Sequence, residues 1–376
     1  MRRRLRNFMN PSTGRASHIH CSWTSYWRIK LNEGIDVICL DGGHKNCPIK
    51  LDGVFCDGYN QNASFGVFTH FHEDHVSNVH KYVGTYDTLL THPKTFKAIC
   101  ALKPAMQYRD QWVTQDYDTK YRFDSGTVRL LKSNHIPGSA QVYVESDGKN
   151  MLYSGDFGYP DVQIREADYL VLDSTHGSPY YDGVTDRKQV KKNMFEYVEE
   201  YLKSNQTIMI QAAGGTIQEI IHYFEVGYGR RMDNDIVFAM EEKQSKVLDS
   251  LYEYDAECIR PRVMYGSRPF WEMLRTEKCV FFSTKTAILD DELSDKHKII
   301  VDRYMFKKDD APIRPFNGGC RFNLAAHASI HGIYQYVEDV NPKYVITDNS
   351  RGSHAKLLAK LIEQRFPKIK TECRPP

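Results

Sequence analysis

The segment Thr69-His70-Phe71-His72-Glu73-Asp74-His75 constrains this chain more than any other stretch of its sequence. It follows the apolar run Gly66-Val67-Phe68 and so reads as the mouth of a β-strand. Alternate residues of an extended segment share a side. His70 and His72 can therefore point together at one metal ion, while the turn that follows presents Asp74 and His75 to a second. The chain holds only 15 His, so three of them with an Asp within so short a stretch are not the mark of an ordinary polar loop.

A fold that uses such a segment must deliver polar side chains at strand ends. From Trp23 to Thr69 the short apolar runs WRIKL, DVICL, GVFCD and GVFTH alternate with Gly-rich turns and read as successive strands. MLYSGDF and YLVLDST, between Met151 and Thr175, read as two more. His135 in NHIPGSAQV and Asp156 in LYSGDF each follow an apolar run. Taken singly, His135 fits a hydrogen-bonded core histidine and Asp156 a turn residue. Arriving in order behind the first motif, both read as ligands at the mouth of a sheet.

After Pro179 the texture changes. RKQVKKNMFEYVEEYLK has apolar residues at helical spacing with charges on the other face. TIMIQAAGGTIQEIIHYFE reads as strand, small-residue turn and helix, and DIVFAMEEKQSKVLDSLY and CVFFSTKT repeat the idea. This is the pattern of an open parallel α/β unit, and a separate inserted domain is its economical explanation. From Cys320 onward CRFNLAAHAS reads as a strand, HGIYQYVEDV as a helix, KYVITDN as a strand and SHAKLLAKLIEQRF as a helix, so the chain returns to its first domain.

The motifs CDG with Asp57, THFHEDH, NHIPGS with His135 and SGDF with Asp156 resemble those of the metallo-β-lactamase superfamily. That resemblance implies an α/β fold, an αββα sandwich. It implies that His70, His72 and His135 hold a first zinc, Asp74 and His75 a second, and that Asp156 bridges the two. Asp57 then steadies the ligand loop. VLDST with Asp173, AAHAS with His327 and the strand VITDN are similar to the three added motifs of the β-CASP nucleases. The expected division is 1–177 for the first part of the metallo-β-lactamase domain, 178–318 for an inserted α/β β-CASP cap domain, and 319–376 for the return. His327 then completes the second zinc site and Asp173 supports it as an acceptor. Asp74, Asp156 and His327 are the expected catalytic residues. Two zinc ions per chain suit phosphodiester hydrolysis, because they generate a nucleophile near neutral pH and neutralise the transition state; manganese is the alternative ion.

In β-CASP proteins the RNA processors usually carry Glu at the first added motif and His at the third. Asp173 instead resembles the branch of Artemis and the cross-link repair exonucleases, so the expected substrate is DNA, cut by a 5′ to 3′ repair exonuclease, with an RNA-processing ribonuclease as the alternative. Asp348 occupies the third motif and fits neither branch, and His354 in the following turn is a displaced candidate. A small-molecule metallo-hydrolase and an inactive scaffold are the remaining alternatives. The turn Ser350, Arg351, Gly352, Ser353 and His354 precedes a helix and is a candidate phosphate seat, with a routine helix cap as the competing reading.

Global charge adds little: 50 Lys and Arg against 48 Asp and Glu give a net charge of +2, so any nucleic-acid contact must come from a local patch. The basic start MRRRLR lacks an apolar run behind it, and no stretch is long and apolar enough for a membrane span. Nine Cys without a CxxC pair read as reduced thiols and an intracellular protein, cytoplasmic or, in a eukaryote, nuclear. His18, His20, Cys21, Cys39, His44 and Cys47 form a loose cluster whose spacing matches no compact structural zinc site.

Overall fold

A computed structural model of the chain describes residues 34–37, 47–183, 186–227, 232–252, 262–284, 293, 296–302, 311 and 313–376. The run WRIKL and most of the loose His/Cys cluster lie outside these residues. The first sheet is built in chain order from β1 (Ile35–Val37), β2 (Ile49–Leu51), β3 (Val54–Cys56), β4 (Phe65–Phe68), β5 (Thr88–Thr91) and β6 (Trp112–Thr114). Strands β1 to β3 form an antiparallel meander, and β3 to β6 run parallel. Short helices α1 (Glu73–Val76) and α2 (Val79–Tyr82) and the longer α3 (Pro93–Leu102) connect the parallel strands.

The second sheet begins with an antiparallel meander of β7 (Tyr121–Phe123), β8 (Gly126–Lys132), β9 (Ala140–Ser146) and β10 (Lys149–Tyr153), and continues in parallel through β11 (Tyr169–Leu172). The two sheets touch where β10 meets β2. Near-continuous burial along AQVYV and YLVL marks strands covered on both faces.

The chain then leaves to build a third sheet. Helix α4 (Arg187–Ser204) is capped by Asp186, whose carboxylate accepts from the backbone N–H of Lys188 and Gln189. Strands β12 (Thr207–Gln211), β13 (Ile236–Met240), β14 (Arg262–Met264), β15 (Lys278–Ser283), β16 (His297–Asp302), β17 (Ile313–Phe316) and β18 (Gly319–Asn323) assemble in the order β14-β13-β15-β12-β16-β18-β17. All pairs are parallel except β17 with β18. Helices α5 (Thr216–His222), α6 (Glu242–Leu251) and α7 (Arg268–Thr276) connect them, as parallel pairing requires. A single apolar cluster joins Phe195 and Val198 of α4, Ile217 and Ile221 of α5, and Ile210, Phe282 and Phe322 of the strands.

One boundary differs from the sequence reading. Gly319–Asn323 is not the first strand of the returning chain: it pairs with β16 and β17 in the third sheet. AAHAS is not part of a strand either, since β18 stops at Asn323 and His327 sits on the loop that follows. The chain then forms α8 (Ile330–Val340), β19 (Tyr344–Asp348), α9 (Ala355–Arg365) and β20 (Lys370–Arg374). Strand β19 pairs parallel to β11, and β20 to β19, so the second sheet is completed from two distant stretches of chain. Ile333 and Val337 of α8 and Leu358 and Ile362 of α9 pack on Leu152, Leu170 and Val345 of that sheet. With helices outside both of the first two sheets, the architecture is an αββα sandwich carrying a third α/β unit.

Cys47 is disulfide-bonded, which departs from the expectation of reduced thiols throughout. Cys56, Cys100, Cys279, Cys320 and Cys373 are free. Among the described residues no helix is long and apolar enough to cross a membrane.

Leu358 is fully buried between α9 and the second sheet, against Gly177. Leu358→Ala is expected to destabilise the fold by about 2–5 kcal/mol, read from the midpoint of urea unfolding at unchanged slope.

Candidate metal centre

The site assembles at the carboxyl ends of strands from both sheets of the sandwich. Strand β4 ends at Phe68 and hands the chain to Thr69, His70 and His72, after which α1 carries Asp74 and His75. Strand β8 leads to Asn134 and His135, β10 to Asp156, and β11 to Asp173. Two of the strand-end turns use left-handed backbone at non-glycine positions, Asp57 with φ 51° and Asn134 with φ 59°. Asp and Asn tolerate that conformation best among residues with side chains. Gly58 cannot be replaced, since a Cβ there would lie 2.2 Å from Pro48 N.

Five histidines converge, and each has one ring nitrogen held by an acceptor. Thr69 donates its hydroxyl to Asp57 Oδ2 at 2.5 Å and its backbone N–H to Asp57 Oδ1 at 2.8 Å. Its oxygen, 3.0 Å from His70 Nδ1, is thereby left to accept from that ring. Asp57 Oδ2 also accepts from His75 Nδ1 at 2.8 Å. The carbonyl of Ala326 faces His135 Nδ1 at 3.2 Å, that of Gly214 faces His72 Nε2 at 2.8 Å, and Asp173 Oδ2 faces His327 Nδ1 at 2.7 Å. Carbonyls and carboxylates only accept, so the proton of each ring sits on the held nitrogen and the other nitrogen presents a lone pair.

Those lone pairs point at one another. His72 Nδ1 lies 3.0 Å from His70 Nε2 and 3.1 Å from His135 Nε2. Asp156 Oδ2 is 3.6 Å from both His70 Nε2 and His135 Nε2 and 3.8 Å from His327 Nε2, while its Oδ1 is 3.5 Å from His75 Nε2. Asp74 Oδ2 is 3.6 Å from the same His75 nitrogen, which is buried and makes no hydrogen bond. Lone pairs facing lone pairs and carboxylates across gaps of this size repel unless a cation lies between them. Two groups of close ligand atoms result, His70, His72, His135 with Asp156, and Asp156, Asp173 with His327.

The electrostatics show the same demand for positive charge, which protons on His75 and His327 meet when no cation is bound. Burial pushes His70, His72 and His135 down, toward the neutral form that binds metals. Burial also acts on His75 and His327, but Asp156 and Asp57 around His75, and Asp173 and Asp156 around His327, outweigh it and lift them to about 10 and about 9. Asp156 is held well below the usual carboxylate range: burial opposes ionisation, and the facing His75 and His327 overcome it.

A family model of the metallo-beta-lactamase superfamily matches residues 67–195. An RNase J-like protein of Methanocaldococcus jannaschii is 26% identical over 190 residues, 46% of this chain and 44% of that protein. A probable RNase of the same organism is 21% identical over 291 residues, 65% of this chain and 66% of the relative. A ribonuclease of Thermus thermophilus is 24% identical over 170 residues, 41% of this chain and 38% of the relative. Residues 67–195 thus carry the metallo-β-lactamase match, and the chain is similar to proteins named as ribonucleases. The matched stretches span less than two thirds of these relatives' lengths. A solved structure of a protein of unknown function from Enterococcus faecalis shares the fold at TM-score 0.54 and 9% identity, over 85% of this chain and 81% of that one. A metallo-β-lactamase fold implies divalent-metal binding, and the donor set above fits such an ion.

The turn after β19, expected as a phosphate seat, turns its arginine away from solvent. Arg351 points inward, with a side chain 5% exposed, and donates to the carbonyls of Cys47 and Asp57 and to the carboxylate of Asp348. Ser350 is buried and its N–H is taken by Asp348 Oδ1, Ser353 is exposed, and His354 leads into α9 with its ring edge against Tyr181. Asp348, at the third added motif, is thus the partner of a buried arginine. Sequence reasoning missed this role because a polar turn ahead of a helix looks the same whether its arginine faces solvent or the strand end beneath it. It also missed Gly214, which reaches the cluster from the third sheet and carries no side chain to announce itself.

Arg351→Met would leave the Asp348 carboxylate buried without its cation, so it is expected to cost about 3–5 kcal/mol of stability, measured by chemical unfolding.

Proposed function

We propose that this chain is a metal-dependent phosphodiesterase that hydrolyses RNA, with two zinc ions per chain as cofactor. The observation that carries the reading is the set of five imidazoles, each pinned through one nitrogen and turning the other toward its neighbours or Asp156. In this reading His70, His72 and His135 would hold one ion and Asp74, His75 and His327 the other, with Asp156 between the two sets. Zinc suits a donor set rich in imidazole, with manganese the alternative. Two such ions supply Lewis acidity and charge neutralisation for phosphodiester hydrolysis near neutral pH.

The protein groups do the rest. Asp57 and Asp173 orient ligand histidines by accepting from the nitrogens that face away from the cluster. Asp74, whose side chain is 53% exposed, is the carboxylate open to solvent and to substrate, and so the group available to orient an attacking water. The third-sheet unit, from α4 through β18, is the β-CASP cap.

Support for nucleic acid as substrate comes from a cleft of about 640 Å³ that joins the loop before His135 to the start of α4. Lys132, Arg187, Lys188 and Lys191 line it against Asp161 and Glu219. Lys191 Nζ donates to Glu219 at 2.6 Å and Arg187 donates to the same carboxylate, which leaves the exposed Lys132 and Lys188 to meet a polyanion. RNA is preferred to DNA because the relatives are named as ribonucleases. The expectation of DNA rested on Asp173, and Asp173 spends its carboxylate on His327 and on the N–H of Thr175, so its identity says nothing about the sugar.

Single-stranded RNA and DNA of one sequence, incubated with zinc-loaded protein, test the reading. RNA is expected to be cleaved about tenfold or more faster, the cost of leaving a 2′-hydroxyl partner unpaired; equal or faster cleavage of DNA overturns it. Lys132→Glu with Lys188→Glu is expected to weaken RNA binding and lower the salt dependence of log K by about one for each phosphate that is no longer neutralised. Unchanged binding would remove the cleft from the substrate path.

A further inference from the structure

His72 differs from the other ligand histidines in where its support comes from. Its Nε2 bonds the carbonyl of Gly214, in the turn between β12 and α5 of the third-sheet unit, at 2.8 Å and across 142 residues of chain. Without that acceptor the ring would be free to carry its proton on Nδ1, the nitrogen that faces His70 and His135.

Two features hold the turn in place. Gly215 adopts φ +82°, and a Cβ there would lie 2.7 Å from Ile136, so the turn rests directly on the loop that carries His135. Its N–H donates to Gln218 Oε1 at 2.7 Å. Gln218 is fully buried on α5, and its Nε2 donates to Gln244 Oε1 on α6 at 2.8 Å. Gln244 is also buried and donates to Thr284 Oγ1, beyond β15, at 3.3 Å. A fully buried glutamine at a helix start is costly to leave unsatisfied and is not needed for the apolar packing of α5, which Ile217, Ile220 and Ile221 provide.

We infer that Gln218 is a positioning residue for the metal centre: through the Gly214–Gly215 turn it fixes the tautomer and orientation of His72, so that the third-sheet unit sets the metal affinity of the sandwich. The inference rests on the metal reading proposed above. The third-sheet unit is then part of the site and not only a cover over it, and a displacement of that unit releases a ligand.

Zinc affinity by competition with a chromophoric chelator, together with the visible spectrum of the cobalt-substituted protein, tests this on the full chain. Gln218→Met removes the acceptor for Gly215 and is expected to weaken zinc binding about tenfold to a hundredfold and to shift the cobalt bands, the range found when a group orienting a ligand is lost. Gln218→Glu keeps that acceptor, and the Gln244 amide can turn its NH2 toward the carboxylate, so it is expected to restore most of the affinity. Gly215→Ala should weaken binding as Gln218→Met does, and stands in for it if the methionine variant does not fold. Ile299→Val, a core change in the third sheet away from the turn, controls for general loosening. Wild-type affinity in a folded Gln218→Met or Gly215→Ala protein overturns the inference, and so does an equal loss in Ile299→Val. A wild-type chain that takes up no zinc overturns the metal reading itself, and the inference with it.

Discussion

The carboxylate of Asp57 is buried at the end of β3 and accepts three hydrogen bonds, from the backbone and hydroxyl of Thr69 and from His75. Much else depends on that one group. Through Thr69 it decides which nitrogen of His70 carries a proton, and through His75 it does the same on the far side of the cluster. Because the carboxylate is saturated by donors from the ligand loop, the loop cannot rotate without leaving a buried charge unsolvated, a penalty of several kcal/mol. Arg351 reinforces the arrangement from behind by donating to the backbone carbonyl of Asp57, which links the completing stretch of the second sheet to the first.

The same logic recurs at every histidine with a different acceptor: a threonine hydroxyl, an aspartate, or a carbonyl. The variety matters because the acceptors come from different parts of the chain. Asp57 and Thr69 belong to the first sheet, Asp173 and Ala326 flank the third-sheet unit, and Gly214 lies within it. Closing the fold and building the centre are therefore one event, and a metal that binds the assembled cluster stabilises all of these contacts together.

Much of this was legible in the sequence. THFHEDH, NHIPGS and SGDF gave the cluster, since alternation on an extended segment and apolar runs before each motif suffice to place side chains at strand mouths. The α/β texture after Pro179 was readable from helical spacing in α4 and from the apolar strands that follow. The boundary near Asn323 was not, because β18 is an apolar strand that fits either sheet by composition, and only its pairing with β16 assigns it. Arg351 was misread for a related reason: burial of an arginine depends on Asp348 and two carbonyls brought from distant segments, and local pattern carries no trace of them. Gly214 was invisible because its contribution is a backbone carbonyl, which every residue has. DNA was favoured from Asp173 alone, a residue whose carboxylate serves His327.

Metal analysis of protein purified without chelator tests the central claim most directly, namely that the lone pairs of these five histidines are arranged around divalent cations. The account expects close to two zinc ions per chain, with anomalous scattering at two positions on either side of Asp156. A folded, unchelated preparation holding no transition metal would contradict it.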